Sequence, residues 1–258
     1  MTKELDHLSC SQISLYSQCS LKYKFRYIDE IPIPYKPAAL AFGSSIHEAI
    51  SWYHREKMNG NGVTLDKLFK IFDADFYAQK IDSHIKFTAK ESEVDLNIKG
   101  REMLELYFEN PTPDVIGTEV QFALPLNHPS NGEKLNINFE GIIDQIAKND
   151  TIVEIKTSAQ TMQNDDAHNL LQLTAYSFAY EKLYQKRPEN LYVYNLVKLK
   201  KPKVNILCTE RDTDDYIRFF QIAKKVYEGI KSQIFFPQPS FWCKGCEYTV
   251  QCLTWQGN

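Results

Sequence analysis

The stretch Gly141-Ile-Ile-Asp144-Gln-Ile-Ala147, followed by Ile152-Val-Glu154-Ile-Lys156-Thr157, decides the fold class and points to the chemistry. Both segments are rich in β-branched residues and read as strands, joined across the polar turn Asn149-Asp150. Glu154 and Lys156 lie two apart, so on a strand their side chains share one face while Val153 and Ile155 fill the other. Asp144, on the preceding strand, reaches the same spot. Two carboxylates converging beside a lysine are poorly explained by stability, because buried charges are costly unless paired. They suit a divalent cation: hard oxygen ligands favour Mg²⁺ or Mn²⁺, and a lysine can orient a water or offset phosphate charge. An ordinary ion pair on a surface strand is the other reading of the same residues.

Working outward, the period of the apolar residues changes along the chain. Ser11 to Tyr27 reads as a helix, the Pro-rich Ile31 to Pro37 as a loop, and Ser44 to Met58 as a capped helix. Thr64 to about Lys90 and Glu93 to Asn110 read as further helices, ended by Pro111-Thr-Pro113. Three strands follow: Gly117 to Leu126, Lys134 to Ala147 and Thr151 to Lys156, with turn residues at 127–132. Asp166 to Gln185 is an amphipathic helix, Leu191 to Leu199 and Val204 to Cys208 are strands, and Asp214 to Ser232 is a helix. The order helix, three strands, helix, strand predicts an α/β core with helices against a mixed sheet.

Composition is that of a globular chain: 258 residues, 43% hydrophobic and 24% charged. The formal net charge of −3 excludes wholesale polyanion binding. Local basic patches exist at Lys22, Lys24 and Arg26, and at Lys198, Lys200, Lys201 and Lys203, each readable as a solvated face. Met1 to Asp6 lacks the basic-then-apolar layout of a secretory signal, and no apolar run approaches the roughly 18 residues of a membrane span. A cytoplasmic setting is expected, bacterial, archaeal or in a phage-infected host, where thiols stay reduced.

Asp144, nine intervening residues and then Glu154-Ile-Lys156 resemble the signature of the PD-(D/E)xK nucleases. Upstream, Gly43-Ser-Ser-Ile-His47 resembles the GxxxH helix of the RecB-like branch and of CRISPR-associated adaptation exonucleases, in which the histidine is a metal ligand. Downstream, Gln172-Leu-Thr-Ala-Tyr176 resembles that branch's QxxxY motif. Glu119 matches a glutamate that some members carry on the first core strand. The resemblance covers Ser9 to His47, Gly117 to Tyr176 and Cys243 to Cys252. It implies a restriction-endonuclease-like αβββαβ core in one nuclease domain, with 64–110 as a helical insertion that carries no readable motif.

Cys243, Cys246 and Cys252 fall within ten residues, a density that in a reduced compartment signals a soft-metal site. Cys10, Cys19 and Cys208 are candidates for a fourth ligand. Tyr16-x-x-Cys19-x-x-Lys22-Tyr23 resembles the N-terminal motif of the AddB-like and CRISPR-type iron–sulfur nucleases, which implies Cys19 and a [4Fe–4S] cluster. The residue after that cysteine is usually proline and here is Ser20. A structural zinc with four cysteines is the alternative. Residues 1–30 and 234–258 would form this iron–sulfur subdomain, closing a loop of more than 200 residues, worth about 5 kcal/mol in the chain-entropy picture. Cys10 and Cys208 are expected to be buried thiols among apolar neighbours.

The expected activity is hydrolysis of DNA phosphodiester bonds, with Mg²⁺ or Mn²⁺ held by His47, Asp144, Glu154 and the carbonyl of Ile155. Lys156 would position or activate water, and Gln172 and Tyr176 would support the site. The resemblance further implies exonuclease action on single-stranded DNA in the 5′-to-3′ direction, with partners in recombination, repair or CRISPR adaptation. The rival expectation is an auxiliary DNA-binding subunit of such an assembly, stabilised by its metal clasp.

Overall fold

The computed structural model describes residues 5–89 and 91–257. Its helices are α1 (Cys10–Gln18), α2 (Ser20–Tyr23), α3 (Ala38–Met58), α4 (Leu65–Asp82), α5 (Glu93–Glu109), α6 (Asn164–His168), α7 (Leu171–Tyr184), α8 (Thr213–Lys231) and α9 (Thr249–Thr254). The strands are β1 (His7–Ser9), β2 (Lys36–Pro37), β3 (Ile85–Lys86), β4 (Val115–Asn127), β5 (Lys134–Ala147), β6 (Thr151–Ser158), β7 (Asn190–Val197) and β8 (Lys203–Thr209). The chain groups into two compact units, one of residues 35–120 and 142–210, the other of 1–34, 121–141 and 211–258. Strands β4 and β5 contribute to both. The expected mixed α/β architecture is what the chain adopts. Among the described residues no helix is long and apolar enough to cross a membrane.

In the first unit, β5 turns antiparallel into β6 with Gln145 opposite Val153 and Ala147 opposite Thr151. Asn149 and Asp150 take positive φ (56° and 50°), the left-handed geometry that a tight hairpin demands of its turn residues. The strand β6 runs parallel to β7, and β7 returns antiparallel into β8. The crossover from β6 to β7 carries α6 and α7, as a parallel connection requires. Alternation along β6 divides its side chains. Val153 and Ile155 enter an apolar cluster with Phe42, Ile46, Phe72 and Tyr107 from α3, α4 and α5, while Lys156 meets Gln172 on α7. The helical stretch 64–110 thus supplies much of the core against one sheet face.

Several boundaries differ from those read in the sequence. The helix begun at Thr64, which caps it through a bond from the Lys67 amide, ends at Asp82. Extended backbone at Ser83 redirects the chain so that Ile85 and Lys86 pair with Lys36 and Pro37, inside the expected proline-rich loop. Lys90, the expected helix end, lies outside the described residues, as do Met1 to Glu4 and Asn258 of the expected iron–sulfur subdomain. The helix α3 starts six residues before Ser44, directly after Pro37. The expected helix 166–185 is broken at Leu170, whose backbone is extended.

In the second unit, β1 lies parallel to the start of β5, with Leu8 opposite Phe139. The expected helix 11–27 is interrupted at Cys19, whose extended backbone (φ −164°, ψ 104°) ends α1 and opens α2. The C-terminal segment is bound to that N-terminal pair by backbone. The Leu21 amide donates to the Phe236 carbonyl at 3.2 Å, the Ser20 amide to Gln238 Oε1 at 2.7 Å, and the Tyr16 hydroxyl to the Ile234 carbonyl at 2.6 Å. Tyr248 is buried against Phe25 and Leu21, and its hydroxyl donates to the Ile31 carbonyl. Lys22 and Lys24 of the expected basic patch form ion pairs with Glu247 and Asp29.

Gly100, inside α5, shows how closely the first unit is packed. A Cβ there would lie 2.2 Å from the ring of Phe72, itself fully buried and stacked on Phe76. In an open helix glycine to alanine stabilises by up to ~1 kcal/mol. Here overpacking dominates, and Gly100→Ala is expected to destabilise the protein by about 1–3 kcal/mol. A urea midpoint that falls at constant m-value, and recovers in Gly100→Ala/Phe72→Leu, is the expected result; a raised midpoint would contradict it.

Candidate active site

Four elements deliver the polar residues singled out in the sequence. The helix α3 carries His47, β4 carries Glu119, β5 carries Asp144, and β6 carries Glu154, Ile155 and Lys156. Gly43 lets α3 approach β6: a Cβ there would stand 3.0 Å from Thr157 Oγ1. One turn on, His47 places its Nδ1 3.6 Å from Asp144 Oδ2. Asp144 in turn reaches across to β6, where its Oδ2 accepts a 2.8 Å bond from the Ile155 amide. Ligand atoms of His47, Glu119 and Asp144 all lie within 4.8 Å of one another.

Glu119 occupies this group by an unusual route. Its φ of 51° is left-handed, rare for a residue with a side chain and costly in the middle of a strand. The irregular backbone re-aims its carboxylate, as bulges beside functional sites commonly do.

Lysine 156 sits at the centre of a second set of contacts. Its Nζ forms an ion pair with Glu154 Oε1 at 2.5 Å, and it donates to Gln172 Oε1 at 2.6 Å. Gln172 Nε2 donates to the Tyr176 hydroxyl at 2.8 Å. The pair four residues apart on α7 therefore orients the lysine.

Burial sets the electrostatics. Glu154 is fully buried and Asp144 is 8% exposed. Burial raises both carboxyl groups to about 7; the Asp144 charge adds to the rise at Glu154, the Ile155 amide works against the rise at Asp144, and Lys156 works against both. Burial also raises Glu119 and lowers His47, favouring a neutral imidazole with a lone pair to offer. Glu154 Oε2 is buried and has no hydrogen-bond partner. Three carboxylates, one of them with an orphaned oxygen, and a neutral imidazole fit a hard divalent cation, whose charge reverses the cost of ionising the acids. An ion with bonds of ~2.1 Å has ligands up to ~4.2 Å apart, and the candidate atoms lie within 4.8 Å of one another.

The three cysteines of the tail and Cys19 come together in the other unit. All four line one cavity of about 200 Å³ with Leu21, Phe25 and Tyr248. The Cys252 thiol is pushed up by burial and further by Cys19, Cys246 and Cys243. Four sulfurs around one cavity fit a soft-metal group. Cys10 is buried as expected, whereas Cys208 is exposed, because on β8 it alternates with buried Leu207.

Sequence reading missed the polar residues behind the acids. Ser51 and Arg55 follow His47 at spacings of four and eight, and that helical register is the signal that could have found them. Thr118, next to Glu119, carried no such signal.

The chain matches the family model of the PD-(D/E)XK nuclease superfamily over residues 7–253. A crystal structure of a protein from Eubacterium rectale, provisionally designated an exonuclease, superposes with a TM-score of 0.61 at 13% identity, covering 98% of this chain and 90% of that one. At that identity the likeness is one of fold. The crystal structure of SSO0001 aligns over 80% of this chain and 84% of its own at 16% identity, with a TM-score of 0.38, too low to bear on the fold. A search of curated proteins finds no match. The sequence match extends through both compact units, and the chain belongs to the PD-(D/E)XK nuclease superfamily.

Proposed function

We propose that this protein is a DNA exonuclease that uses Mg²⁺ or Mn²⁺ and degrades single strands from 5′ to 3′. The observation that carries the hydrolytic reading is the convergence of His47, Glu119 and Asp144 within 4.8 Å, beside the buried, partly unpartnered Glu154. His47, Asp144, Glu154 and the Ile155 carbonyl would hold the ion, with Glu119 as a further ligand. A divalent cation there would supply Lewis-acid polarisation of a phosphoryl oxygen and lower the pKa of an adjacent water. Lys156, steered by Glu154 and Gln172, presents its ammonium to the attacking water or to the scissile phosphate. Gln172, itself bonded to Tyr176, directs that ammonium, and both act as positioning residues. Exonuclease action is supported by the designation of the Eubacterium rectale structure. Strand preference and polarity rest on the resemblance of the GxxxH and QxxxY segments to the RecB-like and CRISPR-type branch. In a recombination, repair or CRISPR adaptation assembly the same site would process DNA ends.

Substituting Asp144→Asn or Lys156→Ala should lower the cleavage rate by at least about 10²–10⁴-fold while the fold persists. Time courses on 5′- and 3′-labelled single and double strands, with Mg²⁺ and Mn²⁺ in turn, check both activity and direction. Undiminished cleavage in either variant would remove the site assignment, and release of label from the 3′ end first would reverse the polarity.

Metal affinity should depend on pH with a definite sign. Asp144 and Glu154 are raised to about 7 without metal, so below that pH protons occupy the oxygens the cation needs. Mn²⁺ affinity measured by calorimetry should therefore climb steeply between about pH 6 and 8 and then level. A flat profile would show that these carboxyls do not bind the ion.

For the cysteine cavity we favour a [4Fe–4S] cluster on Cys19, Cys243, Cys246 and Cys252. The preference for a cluster over one zinc comes from the resemblance of the Cys19 segment and of the three tail cysteines to the iron–sulfur nucleases. Protein isolated without oxygen is expected to be brown and to carry about four iron atoms per chain. Cys246→Ser should lose them and unfold at lower temperature, and one zinc with no iron would favour the other metal.

A further inference from the structure

Behind the acids of the first unit runs a chain of hydrogen bonds with one consistent direction. Thr118 Oγ1 donates to the backbone carbonyl of Asp144 at 3.2 Å. A hydroxyl has a single proton, so the 3.0 Å contact between Thr118 Oγ1 and Ser51 Oγ has Ser51 as its donor. Ser51, buried in α3, then accepts from Arg55 NH1 at 3.2 Å, and Arg55 NH2 donates to Glu48 at 2.6 Å. The chain starts on a permanent cation and ends on the main chain of a metal-ligand candidate. It passes through the residue next to Glu119, where the left-handed backbone leaves the extended geometry of a strand.

We infer that Thr118 is a positioning residue for the metal site, locking the Glu119 irregularity to the backbone of Asp144, with Ser51 and Arg55 fixing its hydroxyl. This rests on the proposed reading that His47, Glu119 and Asp144 hold a divalent cation. The physical need is specific. A left-handed residue between extended neighbours is held only if its surroundings over-determine it. Asp144 and Glu119 come from different strands, so their separation depends on how the strands are tied at this point. A side-chain hydroxyl makes that tie where strand geometry is interrupted, and its direction is imposed from α3, the helix that also carries His47. One helix face thus aligns three ligand candidates: His47 by its own ring, and Glu119 and Asp144 through Ser51 and Thr118.

The test is calorimetric titration of the metal-free protein with Mn²⁺, alongside circular dichroism melts and cleavage assays. Thr118→Val keeps shape but removes the hydroxyl, and should weaken Mn²⁺ binding by about 10–100-fold. Thr118→Ser, which restores the donor, should return affinity to within a few-fold of the parent. Ser51→Ala, which leaves Thr118 in place without its orienting donor, should fall between, and it carries the test if Thr118→Val does not fold. Parental affinity in a folded Thr118→Val or in Ser51→Ala would overturn the inference, as would Thr118→Ser binding as weakly as Thr118→Val. If the unsubstituted protein binds no Mn²⁺, or Asp144→Asn leaves its binding unchanged, the metal-site reading falls, and this inference with it. Normal binding in Thr118→Val together with loss in Asp144→Asn would remove this inference alone.

Discussion

The side-by-side burial of Asp144 and Glu154 is the constraint around which the first unit is arranged. Two carboxyl groups removed from water repel each other and resist ionisation, and burial holds both near 7. The fold offsets part of that cost with fixed partners: the Ile155 amide for Asp144 and the Lys156 ammonium for Glu154. It leaves Glu154 Oε2 without one. A core evolved only for stability would replace such a pair by apolar residues of similar volume. Retaining it makes sense where a dication supplies the missing positive charge.

Holding that arrangement requires stiffness on both faces of β6. On one side Val153 and Ile155 are embedded among the aromatic and aliphatic residues of α3, α4 and α5, with Phe72 filling the space that Gly100 leaves open. On the other, α7 presents Gln172 to Lys156 and Tyr176 to Gln172. Reactive groups built on packed strands and helices hold their geometry better than groups on loops. The helical stretch 64–110, which carries no recognisable motif, therefore contributes by packing: its side chains form the wall against which β6 lies.

The second unit is held by a different device. Hydrogen bonds from Tyr16, Ser20 and Leu21 join the start of the chain to residues 234–238, and Tyr248 buries its ring against Phe25. A group bound to Cys19 and the three tail cysteines would add a crosslink between segments more than 200 residues apart. Constraint of that span acts mainly on the unfolded chain, whose freedom it removes.

Much was legible in the residues themselves. Alternation and β-branching placed β4, β5 and β6, since a two-residue period follows from local sterics alone. The shared face of Glu154 and Lys156, the hairpin at Asn149-Asp150, and the one-turn pairs Gly43 with His47 and Gln172 with Tyr176 are likewise local facts. What the local pattern could not convey was where continuity breaks: the extended backbone at Cys19 and Leu170, and the early end of α4 at Asp82. Beside Cys19 and after Asp82 the chain answers to partners distant in sequence, residues 236–238 and 36–37. The left-handed backbone of Glu119, and the hydroxyls of Ser51 and Thr118 beside it, belong to the same class. The sequence by itself determined the element types and the chemistry they carry, because both depend on neighbours within a few residues. The tertiary structure alone decided which oxygens meet, which charges lose their water and which bonds hold them, because those depend on segments that only folding brings together.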